Sequence, residues 1–203
     1  MRLFVVLSVV IGYLLGNLNG AVWVSHLLKD DVRSHGSGNA GLTNFIRSYG
    51  AKYALLVVAV DALKAVFACL IASLLLKPYG MLQEGAAIGG LSVMLGHVFP
   101  VFLGFHGGKG ILSGLFVALM VDWRVAILIL AVFAVAYFAT RFVSLGSVLA
   151  SVAFGVGFAV FHHDNLVVML CGLIMSVLAI FMHRQNIVRL LKGEERKTDL
   201  FKK

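Results

Sequence analysis

From Tyr53 to Leu76 the chain runs through an apolar stretch in which only Asp61 and Lys64 are charged. A run of that length is enough to carry a helix across the ~30 Å hydrocarbon of a bilayer. No water reaches the backbone there, so only helices or closed barrels satisfy its hydrogen bonds. Similar apolar runs fall at about 3–28, 85–105, 111–121, 125–140, 145–161 and 166–182. The run at 111–121 is short, since a full crossing takes ~20 residues. The expectation is an all-α integral membrane protein with about seven transmembrane helices, forming a single membrane-embedded domain over residues 1–203.

Composition agrees. Hydrophobic residues make up 61% of the 203 and charged ones 13%, with a mean hydropathy of +0.99. Soluble domains average roughly 45–50% and ~25%. The leading stretch, Met1 to Leu28, has the basic front of a signal peptide but no Ala-x-Ala cleavage site, and its length suits a first membrane helix. Cys69 and Cys171 both lie within apolar runs and offer neither a disulfide framework nor metal-ligand spacing.

The formal charge of +8 would suggest nucleic acid in a soluble protein. Here the basic residues sit in loops and a tail, which speaks for topology and anionic lipid instead. One side collects Lys29, Arg33, Arg47, Lys52, Lys109, Arg141 and the tail residues Arg184, Arg189, Lys192, Arg196, Lys197, Lys202 and Lys203. The other holds only Arg2, Lys77 and Arg124. The positive side is expected in the cytoplasm, so the N-terminus is outside, the C-terminus is cytoplasmic, and the Gly-rich loops that would form the site face the cytoplasm.

Three polar stretches carry the chemistry. In Gly36-Ser37-Gly38-Asn39-Ala40-Gly41-Leu42-Thr43-Asn44-Phe45-Ile46-Arg47, glycines alternate with Ser, Asn and Thr. Hydroxyls, amides and backbone N–H groups can bond a polar ligand, and Arg47 can grip a phosphate. A plain surface turn with a topological Arg accounts for the same residues.

The second stretch, Gly96-His97-Val98-Phe99-Pro100-Val101-Phe102-Leu103-Gly104-Phe105-His106-Gly107-Gly108-Lys109-Gly110, opens into glycines around one lysine. Converging N–H groups and a positive point charge suggest an anion. It is no Walker A loop, which needs Gly where Leu103 stands and Ser or Thr where Gly110 stands. His97 would lie ~15 Å above the loop on a continuous helix, as a core histidine or a functional one.

The third stretch runs from Phe181 to Glu195. His183, Asn186 and Arg189 recur every three residues, which aligns them on one helical face. Ile187, Leu190 and Leu191 add an apolar stripe, giving a short amphipathic helix that would also serve as a basic anchor. Asp61 and Lys64, spaced i,i+3 within a span, read as a self-neutralising pair. His26 and Asp31 match a His-x4-Asp pattern, but a continuous helix would set them ~140° apart, so the match reads as chance.

Taken together, the three stretches at 36–47, 96–110 and 183–195 resemble the acyl-phosphate-dependent glycerol-3-phosphate acyltransferases of bacterial membranes, the PlsY-like family. Smaller echoes are Tyr13-Leu14-Leu15-Gly16, Asp61-Ala62-Leu63-Lys64 and Arg141-Phe142-Val143-Ser144-Leu145. The chain departs from the family at Leu42, at Ile111-Leu112-Ser113, at Met182 and at Asn17-Leu18-Asn19. The resemblance implies acyl transfer from long-chain acyl phosphate to the sn-1 hydroxyl of glycerol 3-phosphate, giving lysophosphatidic acid and phosphate. It implies His183, Asn186 and Ser37 as catalytic residues. Arg47, Lys109, Gly107, Gly108 and Gly110 would bind substrate phosphate. Asn39, Thr43, Asn44, His97, Arg141, Ser144, Arg189 and Glu195 would be supporting polar residues. No cofactor, metal or nucleic acid is expected. The partners are the two substrates and the lipid bilayer, with transient docking of the soluble enzyme that makes acyl phosphate as a further one. The location would be the bacterial cytoplasmic membrane. The competing reading is a transporter or channel for a small organic phosphate, served by His97, Asp61 and Lys64.

Overall fold

The computed structural model describes residues 1–197; the tail lysines Lys202 and Lys203 lie outside the described residues. Ten α-helices are described, in two compact units, Met1–Val121 and the part of the chain from Asp122 onward. The first unit contains α1 (Arg2–Gly16), α2 (Gly20–Leu27), α3 (Leu42–Tyr49), α4 (Ala54–Leu76), α5 (Leu82–Val98) and α6 (Ile111–Val121). The second contains α7 (Trp123–Thr140), α8 (Val143–Phe161), α9 (Leu166–Met182) and α10 (Arg184–Leu191).

Four helices or helix-led segments are long and apolar enough to cross a membrane, and two bent pairs raise the number to as many as six. At 11 residues, α6 rises only ~17 Å and does not reach a full span by itself. The chain is a multi-pass membrane protein, and its outer helical faces are apolar: Leu63, Phe67, Leu70 and Leu74 of α4 and Ile127, Leu130, Val135 and Phe138 of α7 are all exposed.

The first apolar run is not one helix. It breaks at Asn17–Asn19 into α1 and α2, bent by 40°. Both asparagines have uses that a lipid-facing helix would not provide. Asn17 returns its amide to Tyr13 O (2.8 Å) and accepts from Phe102 N (3.2 Å). Asn19 caps α2 by accepting from Val22 N and donates to Ala40 O (3.0 Å). Since α2 ends at Leu27, the angular argument against His26 and Asp31 does not hold: their side chains lie 3.9 Å apart, with His26 exposed and Asp31 half-buried and gripped by Arg33.

Within the first unit α5 packs against both α1 and α4, and small residues set the separation. A Cβ on Gly89 would meet Ala72 Cβ at 2.8 Å and the backbone of Ala68 at 2.9 Å. α5 stops at Val98 instead of continuing to 105, and Val101–Leu103 forms a 3₁₀ turn after Pro100. The chain then folds back, so that Gly108 N bonds His97 O (3.1 Å) and the expected ~15 Å between His97 and the glycine loop disappears. The polar segment after α2 is likewise not bare loop. Val32, Ala40 and Phe45 are buried with Ala21, Val22, Val24 and Val57, and this small core seats α3.

In the second unit α8 packs on α7 and on α9. Asp122 caps α7 through Arg124 N (2.9 Å) and meets His162 Nε2 at 3.0 Å, tying the start of α7 to the end of α8. Ser176 donates to Ser151 O (2.7 Å) between α8 and α9. Arg141 ends α7 in the left-handed conformation, and a 54° bend at His183 separates α9 from α10. Substituting Gly89→Ala should force α4 and α5 apart and cost about 1–3 kcal/mol. Thermal unfolding of the detergent-solubilised protein would show this as a lowered Tm.

Candidate functional site

The stretch at 36–47 is organised by one buried amide. Asn44 accepts from Ser37 N (2.9 Å) and donates to Val32 O and His35 O (both 3.0 Å), which draws the loop around it. Gly36 takes φ +59, and a Cβ there would collide with the Asn44 side-chain oxygen. Asn44 is therefore an internal clamp. Ser37 and Arg47 are exposed, Asn39 and Thr43 half-buried, and Arg47 sits in the last turn of α3. Just before this loop, Arg33 holds the Asp31 carboxyl down to about 2.

The glycine loop differs from an open anion cradle. Gly107 N donates to Val98 O (3.3 Å) and Gly108 N to His97 O. Both glycines are needed for close packing rather than for a positive φ. A Cβ on Gly107 would sit 2.7 Å from the Pro100 ring, and one on Gly108 would sit 2.6 Å from Ala40 O and strike the His97 ring. Gly110 does take φ +81. Lys109, half-buried, follows directly from this packed turn. Ala40 O also accepts from Asn19, so one carbonyl of the 36–47 stretch touches the α1–α2 break and the face of Gly108. In this unit the structure thus brings together His97, Gly108 and Ala40, and separately Ser37 and Asn44.

In the second unit His183 is not on a straight helix with its neighbours. It occupies the corner between α9 and α10, buried, with Nδ1 2.8 Å from Ala179 O. A carbonyl only accepts, so Nδ1 carries the proton, and in the neutral ring the basic lone pair is on Nε2. Asn186, also buried, donates to Glu195 Oε1 (3.0 Å), while Arg189 Nε donates to Glu195 Oε2 (2.8 Å). Glu195 folds the segment after α10 back onto that helix. Its burial raises the carboxyl pKa, but the bonds from Arg189 and Asn186 outweigh this and hold it below the ordinary value. Ser144 lies beside it and lowers the carboxyl further. Arg141 stands 5.9 Å over the Tyr137 ring. No cluster of His, Cys, Asp or Glu able to hold a metal occurs among the described residues.

The family model for glycerol-3-phosphate acyltransferase matches residues 6–193. The chain belongs to the glycerol-3-phosphate acyltransferase family. A relative of that name from Thermoanaerobacter pseudethanolicus is 42% identical over 96% of each chain. One from Neisseria meningitidis is 37% identical over 96% of this chain and 98% of its own. Among solved structures, the glycerol 3-phosphate form of PlsY (YgiH), described as an integral membrane glycerol 3-phosphate acyltransferase, superposes with a TM-score of 0.88 at 35% identity, covering 98% of this chain and 99% of that one. The lysophosphatidic acid form of PlsY superposes with a TM-score of 0.83. These relatives are named acyltransferases, which leaves the transport reading without support among them.

In the sequence Asn17 and Asn19 stand out only as a departure from the family pattern, not as a helix break. The signal was available, since asparagine is a preferred N-cap and Asn-x-Asn inside an apolar run marks a break. Removing the Glu195 carboxylate (Glu195→Ala) should cost about 1–2 kcal/mol, discounted for the partly exposed Arg189. The carboxyl titrates below its unfolded value of 4.5, so its contribution is complete above that pH and fades as pH falls through the folded pKa. Melting curves of wild type and variant should accordingly differ at pH 7 and converge in acid.

Proposed function

We propose that this protein transfers a fatty acyl group from acyl phosphate to the sn-1 hydroxyl of glycerol 3-phosphate, releasing phosphate and lysophosphatidic acid. The observation that carries the reading is the match over 98% of the chain to a protein solved in its glycerol 3-phosphate form. The charge asymmetry of the loops supports an outside N-terminus, a cytoplasmic C-terminus and reaction at the cytoplasmic face of a bacterial cell membrane. Both substrates carry phosphate and one carries a lipid chain, so a site at a membrane surface suits them.

The glycerol hydroxyl oxygen attacks the acyl carbonyl carbon, and the bond from that carbon to the phosphate oxygen breaks. Acyl phosphate is an activated mixed anhydride, so positioning and charge stabilisation are enough and no covalent nucleophile is required. Lys109 and Arg47 neutralise phosphate charge, the latter with a guanidinium fork. Ser37 offers an exposed hydroxyl beside Arg47's stretch. We assign the hydroxyl proton to a substrate phosphate, whose second pKa near ~6 makes it a dianion at neutral pH. His183 and Asn186 then orient the reacting groups, their own side chains set by Ala179 O and Glu195.

Two measurements test this. Lipid-reconstituted protein should form acyl-glycerol 3-phosphate from acyl phosphate and not from acyl-carrier-protein thioester or acyl-CoA. Turnover with a thioester alone would overturn the donor assignment. Replacing His183 by Ala should lower kcat by about 10²-fold with the pH profile kept, as lost orientation does. A profile shifted at the acidic limb, with a loss of ~10²–10⁴-fold, would instead make His183 the general base.

A further inference from the structure

Inside the first unit, one ammonium group meets three acceptors. Lys64 Nζ lies 2.7 Å from Asp61 Oδ1, 2.7 Å from Leu18 O and 2.6 Å from His97 Nδ1. An ammonium has three hydrogens and no acceptor, so all three are used. The pattern also decides the histidine: Nδ1 accepts, and the ring proton is on Nε2. Asp61 Oδ1 in turn accepts from Gly20 N at 3.2 Å. Asp61, Lys64 and His97 are all at most 4% exposed.

A buried ammonium needs an acceptor for each hydrogen, and here the acceptors beyond Asp61 come from two other parts of the unit. Leu18 O and Gly20 N are two of the backbone groups set loose by the break between α1 and α2, and the pair satisfies both. His97 carries the connection onward. Its carbonyl accepts from Gly108 N, its ring closes the space where a Gly108 side chain would stand, and Lys109 is the next residue. Ala40 O lies against the same face of Gly108 and is held by Asn19 from the break itself. The same cluster thus bears on both phosphate-binding stretches of this unit.

We propose that Asp61, Lys64 and His97 are positioning residues that fix the 107–110 turn, and with it Lys109, for a substrate phosphate. The proposal rests on the acyl transfer reading for its kinetic arm alone. The test uses the full chain in lipid nanodiscs with Asp61→Asn and Lys64→Met combined, a neutral pair of similar shape. Expected are a KM for a phosphate-bearing substrate raised at least tenfold with kcat changed less than threefold, and amide hydrogen exchange across residues 104–110 accelerated at least tenfold. A double variant that matches wild type in both, while Lys64→Met alone is damaged, would mean the pair merely cancels charge and would overturn the proposal. Should the double variant not fold, His97→Asn retains an acceptor for Lys64 but withdraws the ring from Gly108. It is expected to show the same rise in KM and exchange, and unchanged values overturn the proposal equally. If wild type performs no acyl transfer at all, the function fails, while the exchange measurement still decides whether the cluster holds the turn.

Discussion

The interaction on which the first unit depends is that of the Lys64 ammonium with the chain break beside it. A helix interrupted within an apolar run exposes carbonyl and amide groups that neither lipid nor the helix can satisfy, at several kcal/mol each. Burying a charge to meet them is costly in itself. The two problems solve each other here: Asp61 and Lys64 compensate one another and also bind Gly20 N and Leu18 O. Removing either residue would leave both an unpaired buried charge and an unpaired backbone group. The break is in turn what lets Asn17 and Asn19 reach Phe102 and Ala40, so the two polar stretches are anchored to the same point.

Close approach is the second requirement. Gly107 and Gly108 pack where any Cβ would strike Pro100, Ala40 or His97, and their N–H groups are turned inward. The glycines that suggest an anion cradle in the sequence therefore act chiefly as a spacer of minimal bulk, which presents Lys109 from a rigid turn. Asn44 plays the equivalent part in the neighbouring loop, where its amide makes three bonds inward. Bonds within each stretch hold its backbone, between backbone groups at Gly107 and Gly108 and through the Asn44 amide in the other, and the charged or hydroxyl-bearing members stand at its more open positions.

How much of this was legible in the sequence varies with the kind of signal. Length and hydropathy marked α4, α7, α8 and α9 closely, because lipid imposes one solution on a long apolar run. The same signal overran at 3–28 and 85–105, since Asn17, Asn19 and Pro100 interrupt helices without altering mean hydropathy much. The i,i+3 spacing of Asp61 and Lys64 correctly indicated a pair. Its link to His97, thirty-three positions further along, depends on how α4 and α5 pack and has no local trace. The His26–Asp31 approach was missed for a related reason: the helix that would have separated them ends one residue after His26. Motif content, by contrast, pointed to the family directly, because three stretches in order are specific where any one of them is weak.

The internal use of so many polar groups also bears on the chemistry. Asn44, Asn186, Arg189, Glu195 and His97 are each bonded within their own unit, and each bond shapes a loop or a helix end. Ser37, Thr43, Arg47 and Lys109 are hydroxyls and cations at exposed or half-exposed positions of the first unit's motifs. Cations and donors suit a reaction whose difficulty is the placement of a phosphate-bearing molecule. They would serve poorly for splitting an unactivated ester or amide, which calls for an activated nucleophile. The cations of this chain thus suit the phosphate-bearing acceptor that the family's name specifies, glycerol 3-phosphate.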